Sequence, residues 1–261
     1  VIKYMTKECD YIVKRKTYSF RKKNSIEVEE YHDGRYGSPG RKRQPRAKPT
    51  PEQMAYVNHQ SKVKRCRHKL LEYFDPGDTF LTLTYEKRNR PPTMKDAIAD
   101  FQKMIRKVKR EYTRRGYELR WIRNIEQGTK GAWHTHLVVN EIGDTTSIIK
   151  SLWDKGGIYA EQIRLSDKVY DDDFSKLAAY MTKDENTTEE KADGTMSKPR
   201  IRQSSYSTSR NMPLPEPKVD KLLHWKREPK PKKGYEIVRI YEGINPVTSY
   251  SYRRYTMRRR E

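Results

Sequence analysis

The sequence predicts an α+β protein with basic β extensions at its N- and C-terminal ends, and three observations carry that reading. Thr79-Phe80-Leu81-Thr82-Leu83-Thr84-Tyr85 alternates cleanly, with Leu81, Leu83 and Tyr85 on one face and Phe80, Thr82 and Thr84 on the other. Met94, Ala97, Ile98, Phe101, Met104, Ile105, Val108 and Tyr112 recur at a helical period. Two β-branched and aromatic runs, 119–126 and 133–140, flank a loop holding Gly128 and Gly131 and read as an antiparallel hairpin.

The remaining elements follow in chain order. Residues 10–31 hold two short alternating runs joined by Arg21-Lys22-Lys23-Asn24, a β-hairpin pattern. The Gly- and Pro-rich stretch 34–51, basic from Arg41 to Lys48, reads as a connecting arm. Residues 51–73 read as a helix, basic from Lys62 to Lys69 and stopped by Asp75-Pro76-Gly77. In the second helix Thr93 is the expected N-cap, with Asp96 completing a capping-box-like pair and Gly116 at C′. Its apolar stripe is expected in the core, and the basic residues around it on a solvated face.

A short helix over 145–153, a strand near 157–165 and a helix over about 172–184 are expected next. The polar Ser-, Thr- and Pro-rich segment 185–217 reads as an irregular loop. The C-terminal part reads as a hairpin, 235–241 and 247–257, turned at 243–246. Four parts result: a basic N-terminal hairpin, arm and helix (1–75), a central core (76–184), the polar loop (185–217) and a basic C-terminal hairpin (218–261).

The chain has 261 residues, only 33% of them hydrophobic, and a formal net charge of +22. A surface this positive points to a polyanion, because binding releases the counterions condensed on phosphates. Cys9 and Cys66 are the two cysteines, too few and too far apart for a disulfide framework or a zinc knuckle. No window approaches 18 apolar residues and the first residues form no signal-peptide pattern. The expectation is a cytoplasmic, nucleic-acid-facing protein.

Candidate chemistry lies on the central hairpin. His134 and His136 are i and i+2 on one strand and therefore share a face. Glu126 closes the preceding strand roughly opposite His134, and opposite residues of an antiparallel pair also share a face. One carboxylate and two imidazoles, with open positions left over, suit Mg²⁺ or Mn²⁺ at a phosphoryl centre; the ligand types also admit Zn²⁺. The ordinary alternative is an exposed strand-end glutamate and histidines bonded to backbone.

A second group lies in Lys176-Leu177-Ala178-Ala179-Tyr180-Met181-Thr182-Lys183. On a helix Tyr180 and Lys183 share a face, with Lys176 one turn behind. A tyrosine is a poor nucleophile unaided, and a neighbouring ammonium favours its phenolate. Alone, Tyr180 is one of nineteen tyrosines.

Together, the threonine-rich strand 80–85, the carboxylate before His134-Thr135-His136 and the Tyr180/Lys183 helix resemble the three motifs of HUH endonucleases of the rolling-circle replication initiator (Rep) class. The resemblance covers roughly residues 78–184. It implies an antiparallel sheet of about five strands flanked by helices, with the ion on the central strands. It makes Glu126, His134 and His136 metal ligands, Tyr180 the nucleophile and Lys183 the motif lysine, with Thr84 and Lys176 as expected DNA contacts. The implied activity is that of an endonuclease and strand transferase. It nicks single-stranded origin DNA through a 5′-phosphotyrosine link, releases a priming 3′-hydroxyl, and later rejoins the strand without ATP.

The implied partners are single-stranded DNA at a replication origin, open or as a hairpin, and the helicase and polymerase of a bacterial host. A relaxase or transposase with the same chemistry, or a non-catalytic nucleic-acid-binding regulator, are the alternatives. Thr135 replaces the family's usual bulky hydrophobe but faces the opposite side of the strand, where it can pack. A single motif tyrosine argues against a paired-tyrosine mechanism, and no G-x-x-x-x-G-K-[ST] helicase signature occurs.

Weaker signals get structural readings. Asp171-Asp172-Asp173 suits a helix N-terminus. Trp121, Trp133 and Trp153 are expected in the core, and Trp225, in a basic setting, as a base-stacking candidate. The basic runs 41–48, 62–69, 226–233 and 258–260 are candidate DNA-backbone contacts.

Overall fold

The computed structural model describes residues 13–20, 25–32, 48–128, 130–163, 174–183, 201–222, 225–245 and 251–260. In chain order they form β1 (Val13–Phe20), β2 (Ser25–His32), α1 (Pro51–Tyr73), β3 (Thr79–Thr84), α2 (Met94–Arg114), β4 (Trp121–Gly128), β5 (Trp133–Val139), α3 (Thr145–Leu152), β6 (Ile158–Gln162), α4 (Ser175–Met181), β7 (Ile201–Thr208), β8 (Lys218–Leu222), β9 (Tyr235–Ile244) and β10 (Ser251–Arg259), with one 3₁₀ turn at Lys87–Asn89. The architecture is α+β, with two antiparallel five-stranded sheets. The chain divides into two units, residues 59–214 and residues 1–58 with 215–261.

In the central unit the strand order is β6-β3-β5-β4-β7. Alternation splits its sheet into two unlike faces. One carries Leu81, Leu83, Leu137, Val139 and Ile125 against Phe101, Met104, Val108 and Tyr112 of α2 and Ile148 and Ile149 of α3. Each of those side chains is at most 5% exposed. The expected stripe of α2 is thus the core. The opposite face is polar and carries the candidate site.

Helix ends follow the local chemistry. Thr50 and Gln53 form a reciprocal capping box at α1, with Gln53 N donating to Thr50 Oγ1 at 3.2 Å and Thr50 N to Gln53 Oε1 at 2.9 Å. At α2, Thr93 Oγ1 accepts from Asp96 N at 3.3 Å, while Asp96 takes the Thr93 hydroxyl itself rather than a backbone N–H. Gly116, at φ 80°, closes α2 as a Schellman end, with Gly116 N bonded to Thr113 O and Tyr117 N to Tyr112 O.

Three expectations need correction. Within the segment read as an irregular loop, residues 201–208 form β7, paired along the edge of β4 from Ile122↔Thr208 to Gly128↔Ile201. Gln203-Ser204-Ser205-Tyr206-Ser207-Thr208 shows no apolar alternation; the strand exists because β4 supplies its hydrogen-bonding partner. Residues 218–222, read as part of the tail before the C-terminal hairpin, form β8. The C-terminal half of α1 groups with the central unit, since Cys66, Leu70 and Leu71 are buried there. Within that unit Lys69 Nζ donates to Thr208 Oγ1 at 2.6 Å and Tyr73 Oη to Pro213 O at 2.7 Å. The expected helix start near 172 and the Asp171–Asp173 run lie outside the described residues, as do Cys9 and the arm 34–47.

In the terminal unit the two expected hairpins join through β2 and β10 into a single sheet, β8-β1-β2-β10-β9. Its apolar cluster is small, Ile26, Val28, Tyr255 and Met257. A fully buried arginine sits beside it. Arg253 Nη2 lies 2.5 Å from Glu30 Oε2, and the same carboxylate holds Arg15 Nη2 at 2.6 Å through Oε1. The remaining guanidinium protons go to the carbonyls of Lys226 and Arg227. Trp225 stacks on His32 at 5.2 Å and lies under Arg253 at 4.8 Å, so it is engaged within its own unit rather than offered to a base. Trp133 and Trp153 are buried as expected, and Trp121 packs at the margin of the central core. Among the described residues no helix is long and apolar enough to cross a membrane.

Candidate active site

Strand register builds the site. Thr84, His134, Glu126 and Ser204 stand in one row across β3, β5, β4 and β7, and Thr82, His136, Asn124 and Tyr206 in the next. Glu126 is therefore directly opposite His134, as the hairpin pattern required. Thr135 points the other way, fully buried between Leu83 and Ile125. Its hydroxyl has no hydrogen-bond partner among the described residues.

His136 is the centre of the polar face. Its Nε2 lies 3.0 Å from Glu126 Oε1 and its Nδ1 3.1 Å from Thr82 Oγ1. The rings of Phe80, His136 and His134 lie nearly parallel, with centroids 6.1 Å and 6.4 Å apart. Tyr180 descends from α4 edge-on to this column, and its hydroxyl is 3.2 Å from each ring nitrogen of His136. Lys183 Nζ sits 4.6 Å from the centre of the Tyr180 ring.

The local reasons for this placement are legible. Leu177, Ala178 and Met181 are buried and seat α4, which turns Tyr180 toward the sheet while Lys176 stays exposed. Thr182 Oγ1 donates to Ala178 O at 2.7 Å, and Ser204 Oγ to Lys183 O at 2.9 Å, pinning the helix end to β7. Phe174 opens the helix in the left-handed region at φ 56°, a conformation its buried side chain holds.

Electrostatics favours charge separation here. Burial pushes the Glu126 carboxyl up, but its hydrogen bond to His136 and the charges of His136, Lys183 and His134 outweigh that and hold it below its ordinary value. Burial lowers His134, assisted by His136 and Arg90 against the pull of Glu126. Both shifts keep a carboxylate and a neutral imidazole side by side, the forms that ligate a metal.

The donor set suits a hard or borderline divalent ion. Glu126 Oε1 and His136 Nε2 stand at the spacing of two adjacent ligands on an ion with bonds of about 2.1 Å. Among the described residues no three His, Cys, Asp or Glu side chains close into an ion cage; a pair stands at ligand spacing, with His134 on the same face. Thr84, the expected DNA contact, donates to Gly157 O at 3.1 Å at the end of the His134 row.

Sequence reading passed over three residues here. Thr82 and Asn124 are each two positions before a recognised residue, and the period of two would have found them. Asn124 is fully buried, and neither end of its amide has a partner among the described residues. Arg90, in the loop after β3, acts on His134 only through the fold.

Comparison with known proteins bears on the same segment. No curated protein and no solved structure matches the chain significantly. Residues 78–185, less than half of the chain, match the family model of the replication-associated protein ORF2 type. That stretch holds β3, the His134/His136 strand and the whole of α4. Over residues 78–185 this protein carries the domain of that replication-associated protein family, consistent with a rolling-circle Rep initiator.

Proposed function

We propose that the protein is a replication initiator that nicks and rejoins single-stranded origin DNA through a 5′-phosphotyrosine intermediate, for a plasmid, phage or mobile element in the cytoplasm of a bacterial host. The observation that carries this reading is the Tyr180 hydroxyl 3.2 Å from His136, on the sheet face that also bears Glu126 and His134. A mere binder has no use for a tyrosine held against an imidazole and a carboxylate.

In this reading Tyr180 Oη attacks the phosphorus, the bond to the 3′-oxygen breaks, and the 3′-hydroxyl is released to prime synthesis. Attack by a later 3′-hydroxyl reverses the step and frees the tyrosine. The Lys183 ammonium beside the ring favours the phenolate. Glu126, His134 and His136 would hold Mg²⁺ or Mn²⁺, which neutralises charge on the phosphate when bound. Thr82 and Glu126 fix the plane of the His136 ring from its two nitrogens. Lys176 and Thr84 line the approach of the strand.

The test is to incubate the protein with labelled single-stranded origin DNA and Mn²⁺ or Mg²⁺ and look for an SDS-resistant adduct. The adduct is expected with the wild type, lost in Tyr180→Phe, and lost in His134→Ala and His136→Ala while salt-sensitive DNA binding persists. An adduct surviving in Tyr180→Phe overturns the nucleophile. No adduct on any origin strand favours a non-catalytic regulator.

A further inference from the structure

We infer that one face of the terminal sheet is a second platform for single-stranded DNA, on which Tyr241 and Tyr252 stack bases while Lys14, Lys16 and Arg254 hold phosphates. The register of all five strands defines that face. Lys221, Lys14, Tyr31, Tyr252 and Gly243 stand in one row from β8 to β9, and Val219, Lys16, Glu29, Arg254 and Tyr241 in the next. Directly opposite residues share a face, so basic and aromatic side chains interleave on one surface.

The aromatic rings are offered rather than packed away. Tyr241 is 42% exposed and Tyr252 41% exposed. Arg254 lies over the Tyr241 ring at 4.8 Å, and Lys16 over the Tyr31 ring at 5.6 Å. Gly243 explains how Tyr252 lies: a side chain there would come within 2.9 Å of Tyr252 Oη and 3.0 Å of Cζ, so the ring lies flat across bare backbone. A tyrosine covering a glycine has a structural use of its own. Tyr241 covers no glycine, and that use does not explain it. The sheet's apolar cluster and the buried Arg253 lie on the opposite face, which accounts for the packing of this unit without the tyrosine face.

Charge selects the occupant. Lys14, Lys16, Lys221 and Arg254 in these two rows face the lone acid Glu29, on a chain of net charge +22. A polyanion with exposed π-faces satisfies both halves of the surface, and single strands offer such faces where a duplex hides them. The ligand identity rests on the nicking function proposed above. The site does not: it lies in the other unit and needs neither Tyr180 nor an ion.

The experiment uses the full chain in EDTA, so that no adduct forms, with labelled oligo(dT) of about 20 nucleotides read by fluorescence anisotropy. Tyr241→Ala/Tyr252→Ala is expected to weaken binding about tenfold or more, and Tyr241→Phe/Tyr252→Phe to restore it, because stacking needs the ring and not the hydroxyl. Lys16→Gln/Arg254→Gln is expected to lower the slope of log Kd against log salt by about 1.4. That second pair keeps the inference testable if the alanine variant loses its native circular dichroism.

Binding by the alanine pair within twofold of wild type overturns the platform, as does an unchanged salt slope in the charge pair. An equal loss on a blunt duplex, or tighter binding and an equal loss on oligo(U), overturns the assignment to single-stranded DNA. Adduct formation in Mn²⁺ at saturating origin DNA is expected to survive in the alanine pair. A wild type that binds through these tyrosines yet forms no adduct refutes the nicking function and leaves the platform standing.

Discussion

The hydroxyl of Tyr180 stands 3.2 Å from a ring nitrogen of His136, 44 residues earlier in the chain. One is on a helix and the other on the central strand of a sheet, so neither residue holds the other by local structure. The imidazole is already fixed by Thr82 on Nδ1 and Glu126 on Nε2, and Tyr180 is added from above. A nucleophile is thereby placed against a preset ring rather than setting it.

That order of support makes Thr82 a positioning residue. Thr82→Val keeps the shape and removes the 3.1 Å contact to His136. The Mn²⁺ concentration for half-maximal adduct formation is expected to rise about tenfold, in the range of lost partners behind a metal ligand, while oligo(dT) affinity in EDTA stays unchanged. An unchanged metal requirement would show that Thr82 does not orient the ring.

Thr135 gives a prediction of opposite sign. Its hydroxyl is buried in the apolar core face without a partner among the described residues. Thr135→Val removes that desolvation penalty and is expected to stabilise by about 1 kcal/mol, raising Tm by ~2–4 °C. Adduct formation should be unaffected, because the side chain points away from the site. A lower Tm by calorimetry contradicts the burial argument.

Gly156 passes hard against the end of β3. A Cβ there would strike Thr84 O and come within 2.7 Å of Glu86 N, both backbone atoms that have no room to yield. Gly156→Ala is therefore expected to cost about 1–3 kcal/mol by overpacking and to displace the Thr84 end of the His134 row. Urea unfolding measures the first effect. Slower adduct formation at saturating Mn²⁺ reports the second.

Glu141 should carry part of the acid sensitivity. Its Oε1 accepts the backbone N–H groups of Ile142, Gly143 and Thr145, capping the start of α3, and its Oε2 takes the Thr79 hydroxyl. Burial pushes the carboxyl up, but the bonds from Thr79, Thr145 and Gly143 outweigh it and hold the group below its ordinary value. A depressed folded value means stability that is fully present above the ordinary carboxylate range and is lost as pH falls through the folded value. Between about pH 5 and 3 the wild type should lose more Tm than Glu141→Gln. Parallel Tm curves for the two proteins would reject this.

In the terminal unit, Glu30→Ala strands Arg253, whose side chain is fully buried. Removing one partner of a buried ion pair costs about 3–5 kcal/mol, more than this small apolar cluster can absorb. Loss of a cooperative unfolding transition, or its shift to much lower urea, is the expected result. A variant that unfolds like the wild type would mean that Arg253 finds enough in the carbonyls of Lys226 and Arg227.

Period-two and period-3.6 patterning determined much of the central unit by itself. The extents of α1 and β5, the core stripe of α2 and the facing of Glu126 and His134 all follow from spacing, because those relations are local to one element or one hairpin. The sequence also separated Thr135 from its histidine neighbours, since alternation alone sends it to the other face. What only the tertiary structure decided is whatever depends on pairing across distance. β7 has no apolar alternation and exists because the edge of β4 completes its hydrogen bonds. The two basic hairpins become one sheet only when β2 meets β10, and that register alone lines up Lys14, Tyr31 and Tyr252. Trp225 looked available in a basic stretch until the fold set His32 and Arg253 against it. Tyr180 stood out by motif, but its distance from His136 is set by the seating of α4, for which no local spacing provides a measure.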